Sequence, residues 1–200
     1  MRSSWRPPHC LLQAPLLLGL VACAHAPASP PPPETPPPVG TEATGISEER
    51  KALAGTWVYA GGEAELAAVV QAVDRATADM SFLARPFANE ALRPRALPRE
   101  RYTLSFDGSA VSVVSPDNPA ERGEVGGPPV KVTDRFGDEN QTTFRMLDGA
   151  LVEAGKSADG SGETVFTPGA DGQTMSVRRL MESGRLSAPV DLTFSYRRQE

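Results

Sequence analysis

Three of the Asp-Gly pairs in this chain, Asp107-Gly108, Asp148-Gly149 and Asp171-Gly172, constrain it more than any other feature. Each lies between runs in which apolar and polar residues alternate. The tightest hairpin turn needs positive φ at both central residues, which aspartate tolerates and glycine adopts freely, so these pairs join antiparallel strands. Arg101–Phe106 alternates cleanly, with Tyr102, Leu104 and Phe106 on one face, and Val111–Val113 returns after the first turn. The second turn joins Thr142–Leu147 to Ala150–Ala154. The third joins Thr164–Thr167 to Thr174–Met181, in a loop lengthened by Pro168-Gly169. With Gly55–Tyr59, Val130–Thr133 and Val190–Tyr196 the count reaches about nine strands. A meander that long curls and closes to hide its edges. The expected fold is mainly β: an antiparallel up-and-down β-barrel, or a strongly curled meander.

One stretch changes the period. After Gly61-Gly62, the residues Leu66, Val69, Val70, Val73, Thr77 and Met80 recur at three- and four-residue spacing, the stripe of an amphipathic helix. Glu63 and Glu65 occupy its first turn, where they complement the helix dipole. The pattern continues through Leu83, Phe87 and Leu92 with a break around Ser81 to Pro86, and Pro94 and Pro98 end it. The fold therefore carries a helical insert between strands 1 and 2.

The N-terminal part follows different rules. Residues 1–9 carry Arg2 and Arg6 and no acid, and residues 11–22 form an apolar run too short to span a bilayer, which needs about 20 residues. This is the layout of an export signal. Leu20-Val21-Ala22-Cys23 resembles the bacterial lipobox, which implies cleavage after residue 22 and lipidation of Cys23. The other reading of the same residues is an ordinary signal cut near Ala24-His25-Ala26. Ala24, in place of aspartate, favours the outer membrane of a Gram-negative envelope by resemblance to the sorting rule. The twelve residues from Pro27 to Pro38 include eight prolines. Such a run prefers polyproline II and makes a semi-rigid spacer of roughly 35–40 Å. The expected organisation is a lipoprotein signal over 1–22, an anchored cysteine and proline-rich linker over 23–47, and a β-barrel domain over 48–200. The membrane is then a partner through the lipid anchor.

A Gly-x-Trp in the first strand, an up-and-down meander and an arginine near the end of the last strand resemble the lipocalin and fatty-acid-binding-protein (calycin) group. The positions are Gly55, Trp57 and Arg197 or Arg198, of which Arg197 is taken as the barrel-end residue. The resemblance implies that the tryptophan closes one end of the barrel, with the late arginine packed over it. It also implies a lid-like role for the helical insert. The chain departs from the fatty-acid-binding pattern in the last strand, where Tyr196-Arg197-Arg198 reverses the Arg-x-Tyr order and the insert is longer. The plain alternative for Trp57 is a core aromatic in a strand.

The residue inventory excludes much chemistry. The two histidines, His9 and His25, and the two cysteines, Cys10 and Cys23, all precede residue 27. The domain therefore lacks the side chains for Ser-His-Asp or Cys-His catalysis, imidazole-bound zinc or haem, thiol redox work and an internal disulfide. No cofactor and no metal site is expected. A net charge of −5 with no basic stripe argues against nucleic acid. Asp134–Asn140 lacks the spacing of a helix–loop–helix calcium site and reads as a turn. No pair of carboxylates stands out as a glycosidase pair. Arg85, Arg93, Arg95, Arg99 and Arg101 cluster at the end of the insert. They either greet an anionic headgroup at a barrel mouth or compensate a helix C-terminus, and the second reading is favoured.

Three functions remain. One is a barrel that binds an apolar small molecule, held under the insert against Leu192, Phe194 and Tyr196 on one face of the last strand, with Tyr196 and Arg198 orienting a polar head. Another is a non-catalytic structural or partner-binding envelope lipoprotein with a solidly packed barrel. An enzyme using carboxylates alone stands third.

Overall fold

The alternating runs form strands and the single helical stretch forms helices in the computed structural model, which describes residues 47–200. The expected signal, Cys23 and the expected proline-rich linker lie outside those residues. In chain order the elements are α1 (Glu48–Leu53), β1 (Gly55–Tyr59), α2 (Glu63–Ala76), α3 (Arg85–Ala96), β2 (Arg101–Asp107), β3 (Ala110–Val114), β4 (Glu121–Glu124), β5 (Val130–Thr133), β6 (Glu139–Leu147), β7 (Ala150–Lys156), β8 (Ser161–Pro168), β9 (Thr174–Glu182) and β10 (Val190–Arg198). The ten strands make one antiparallel sheet in the order β4-β3-β2-β1-β10-β9-β8-β7-β6-β5. It is an up-and-down meander in which β1 pairs with both β2 and β10, bringing the two ends of the domain together.

β4 and β5 end this order and do not pair, so the barrel is nearly closed. The gap is drawn in just beyond β4, where Val125 bridges Phe144 in parallel and the Gly126 amide donates to the Phe144 carbonyl at 2.8 Å. Gly123 lies against the Phe144 ring so closely that a β-carbon there would stand 2.8 Å from it. The sequence reading missed β4 because Glu121-Arg122-Gly123-Glu124 has no apolar alternation. Its partner β3, one loop earlier in the chain, and the Phe144 ring on β6 place it.

The insert is two helices joined by a turn, preceded by a one-turn helix, α1, in the segment read as lead-in. Val69, Ala72, Val73 and Ala76 form the buried face of α2, at i, i+3, i+4, i+7. This corrects the expected stripe: Leu66 and Val70 are 41% and 42% exposed, and Leu83 and Phe87 are exposed by 67% and 73%. The alanines let α2 pack close, which turns the larger residues on either side outward. The C-terminus of α2 is capped by Arg85, whose guanidinium donates to the Thr77 and Ala78 carbonyls. No helix among the described residues is long and apolar enough to cross a membrane.

Candidate functional site

Trp57 is fully buried, and its indole N–H donates to the Leu53 carbonyl at 2.8 Å. Arg198 lies over its ring, 4.3 Å from the guanidinium carbon to the ring centre. The same guanidinium donates to the carbonyls of Ala54 (2.6 Å), Ala52 (2.6 Å) and Gly172 (2.9 Å). It thereby ties the C-terminal strand to the end of α1 and to the β8–β9 turn. Arg197, taken from sequence as the barrel-end arginine, is exposed on the outer face instead. Strand alternation decides between the two, because Arg198 shares the inward parity of Tyr196 and lies directly across from Trp57 in the β1–β10 register. Gly55 makes room for the clamp. Its φ is 131°, and a β-carbon there would meet the Arg198 Nη1 at 2.6 Å.

Leu192, Phe194 and Tyr196 face inward, as their alternation requires, but they line neither the barrel cavity nor the α3 groove described below. They are buried in the main core with Trp57, Tyr102, Phe166, Val69 and Val73. Tyr59 meets Phe194 and Tyr196 edge-on at 6.3 and 5.8 Å, and Tyr102 lies 5.0 Å from Phe166 and 5.4 Å from Tyr196. These rings fill the space beneath α2 that a ligand there would need. The Tyr196 hydroxyl donates to the Arg99 carbonyl at 2.8 Å. Burial, with Tyr102 beside it, raises Tyr196 above the ordinary phenol range and keeps that proton in place.

The open space inside the barrel lies elsewhere. A cavity of about 180 Å³ is walled by Tyr102 (β2), Val113 (β3), Glu121 (β4), Thr142 (β6), Glu153 (β7), Thr164 (β8) and Arg179 (β9), with Arg99 from the α3–β2 link and Asn118 from the β3–β4 loop. Alternation aims each of these strand residues inward, onto one barrel interior. The cavity shares Asp134, Asn140, Gly162 and Met181 with a larger groove of about 480 Å³ under α3, whose walls include Met80, Ala88, Leu92 and Leu186. A polar chamber thus meets an outer groove that carries apolar side chains.

The chamber concentrates charge where charge is costly. Arg99 is 7% exposed, and its Nη1 has no hydrogen-bond partner among the described residues. Burial, then the neighbouring Arg179, lowers the Arg99 pKa, although a guanidinium stays charged. Arg179 donates to the Leu97 carbonyl at 3.0 Å, which holds it toward the same side. Asn118 donates to Glu121 at 3.4 Å, while its own Oδ1 is buried and unpartnered. Glu153 is raised well above the ordinary carboxylate range, chiefly by burial, then by the charge of Glu121 and a hydrogen bond with it; Arg179 and Arg99 pull the other way.

The arginine cluster divides. Arg85 caps α2, Arg93 lies 3.7 Å from Asp74, and Arg95 pairs with Asp138 and lies over Phe136. Arg101 is exposed. These four serve the helices and the surface, but Arg99 turns into the barrel. Asp134–Asp138 form the β5–β6 turn, with the Asp134 carboxylate accepting the amides of Phe136 and Asp138, and Glu139 and Asn140 open β6. Sequence reasoning missed Arg179, Glu121 and Glu153 altogether. The one available signal was parity, since Glu153 shares a face with Leu151, and Arg179 with Val177. Among the described residues no group of three or more His, Cys, Asp or Glu is arranged to hold a metal ion.

No protein-family model matches the chain, and no curated protein matches it. Solved structures do align along most of it. The apo form of Caenorhabditis elegans lipid binding protein 8 is 11% identical, with a TM-score of 0.49, over 74% of this chain and 96% of that one. The REP1-NXSQ fatty acid transporter is 16% identical, with a TM-score of 0.48, over 75% and 98%. A Schistosoma mansoni fatty acid binding protein in complex with arachidonic acid is 11% identical, with a TM-score of 0.47, over 76% and 99%. At this level of likeness the barrel is established by the protein's own strand order, and its ligand by nothing in these neighbours.

Proposed function

We propose that the protein is an exported lipoprotein, tethered to the envelope (by the Ala24 rule, the outer membrane) through an acylated Cys23, whose lipocalin-like barrel binds a small amphipathic anion. The anionic head sits between Arg99 and Arg179, and the apolar part runs out into the groove beneath α3. Arg99 carries this reading. A buried guanidinium with an unused donor, aimed at a cavity and backed by a second arginine, is built to receive an oxyanion. The chamber is smaller than the roughly 300–1,000 Å³ of a drug-sized pocket, so it suits a head group and not a whole lipid. A folded-in apolar ligand beneath α2 is not part of this proposal, because aromatic rings occupy that space.

A second reading has an observation of its own. The filled core under α2 suits a structural or partner-binding envelope lipoprotein that carries no ligand. Calorimetric titration of octanoate separates the two. Wild type should bind it at micromolar concentration, while Arg99→Met and Arg179→Met each lose at least about tenfold, the scale of one charge-assisted contact. Tyr196→Phe should bind as wild type does. Native mass spectrometry of the delipidated protein from its own host should show a co-purified small acid. If octanoate fails to bind wild type and nothing co-purifies, the packed structural barrel is the better account.

A further inference from the structure

We infer that the acid taken by the chamber carries a hydroxyl group close to its acid group: the acid group accepts from the Arg99 Nη1, and the hydroxyl donates to the Asn118 Oδ1. Given the reading of the chamber as an anion site, on which this rests, the ligand is a hydroxy acid.

Two residues on the wall of one cavity each hold a polar atom that is buried without a partner among the described residues, and the two atoms are of opposite kind. The Arg99 Nη1 can only donate, and the Asn118 Oδ1 can only accept. The Asn118 amide is oriented by its neighbour, since its Nδ2 donates to the Glu121 carboxylate at 3.4 Å, which leaves the oxygen as the unused end. Arg99 belongs to the α3–β2 link and Asn118 to the β3–β4 loop, and Arg135 ties these segments together. Its guanidinium donates to Asp117, the residue before Asn118, at 3.0 Å, and to the carbonyl of Pro94 in the last turn of α3 at 2.6 Å. On the other side of the loop the Asn118 amide N–H donates to the Ser115 carbonyl at 3.3 Å.

The chamber has no surplus of positive charge to draw anions in general. Glu121, Asp134, Glu153 and Glu163 line it beside Arg99 and Arg179. Three of those carboxyl groups already accept hydrogen bonds: Glu121 from Asn118, Asp134 from the amides of its own turn, and Glu163 from Arg145 at 2.8 Å. An acid group is therefore welcome only where an arginine donor meets it, and the rest of the charged wall favours a ligand that donates. A plain carboxylate satisfies Arg99 and leaves the Asn118 oxygen buried and unpaired. A hydroxyl next to the acid group supplies the missing donor and brings no further charge. A buried acceptor left unpaired is costly, so a site with this pattern separates acids with and without the hydroxyl more sharply than apolar contacts could. At about 180 Å³ the cavity suits such a head group, with the alkyl chain in the groove beneath α3.

The test titrates the mature chain by calorimetry at neutral pH with octanoate, with 2- and 3-hydroxyoctanoate, and with the matching fluoro acids. Fluorine takes the place of the hydroxyl and cannot donate. Wild type should bind one of the two hydroxy acids at least about fivefold tighter than octanoate, the scale of one buried hydrogen bond. The matching fluoro acid should show none of that gain. Asn118→Leu, checked for wild-type secondary structure by circular dichroism, should bind the hydroxy acid and octanoate equally, while Arg99→Met should weaken both by a similar factor. Octanoate binding as tight as both hydroxy acids in wild type, a fluoro acid as tight as its hydroxy parent, or a hydroxy-acid preference that survives in Asn118→Leu overturns the hydroxyl assignment and leaves the anion site standing. If none of the acids binds wild type, the anion site itself falls, and the hydroxy-acid assignment with it.

Discussion

Truncating Arg198 to alanine is the severest test of how this barrel is closed. Its guanidinium makes three hydrogen bonds to main-chain carbonyls, at 2.6, 2.6 and 2.9 Å, and stacks over a fully buried tryptophan. A hydrogen bond from a charged donor contributes about 1.5–3 kcal/mol, and a cation–π contact contributes about 0.5–2 kcal/mol according to its desolvation. Those contributions do not simply add. Arg198 is only half-buried, and water reaching the freed carbonyls of Ala52 and Ala54 offsets part of the loss. The expected cost is about 3–4 kcal/mol, near the upper end for a single substitution. With a urea m-value of about 2 kcal/mol/M, the unfolding midpoint should fall by about 1.5–2 M. The assay is urea unfolding of the chain without residues 1–22, followed by the emission of Trp57, which is then its sole tryptophan. Arg198→Lys should recover less than half of the loss, since an ammonium cannot reach three carbonyls and stack at once. Arg197→Ala, on the outer face, should stay within about 0.5 kcal/mol of wild type. An Arg198→Ala midpoint within 0.5 M of wild type (about 1 kcal/mol at that m-value), or an Arg197→Ala loss of equal size, would refute the clamp.

Gly55→Ala should destabilise by at least about 2 kcal/mol in the same assay, because φ of 131° strains any L side chain and the new methyl displaces Arg198. Tyr196→Phe should cost about 1–2 kcal/mol by leaving the buried Arg99 carbonyl without its donor, with wild-type secondary structure by circular dichroism. Glu153→Gln should raise the thermal midpoint over wild type at pH 9 and not at pH 4. The folded protein holds the Glu153 proton to higher pH than the unfolded chain does, so wild-type stability falls as pH rises through the folded value, and the amide removes that loss. A midpoint difference that stays constant with pH would show that the carboxyl is not shut away in the chamber.

Local rules were enough for most of the fold. The three Asp-Gly turns, the period-two runs and the one stretch of helical period led to an up-and-down barrel with an insert between strands 1 and 2, because turn geometry and side-chain parity act over a few residues. The inward face of β10 was legible for the same reason, whereas an arginine over Trp57 was implied only by the resemblance to the calycin group. Contacts between distant segments were not legible. β4 exists because β3 and Phe144 accept it, the exposed side of α2 follows from how closely its alanines pack, and Arg198 rather than Arg197 meets Trp57 through the β1–β10 register. The candidate site depends most on tertiary structure. Arg99, Glu121, Glu153 and Arg179 come from four separate segments, and each alone resembles an ordinary surface charge in an acidic chain. Only closure of the sheet puts them in one chamber, where the Arg99 Nη1 is left buried without a hydrogen-bond partner among the described residues.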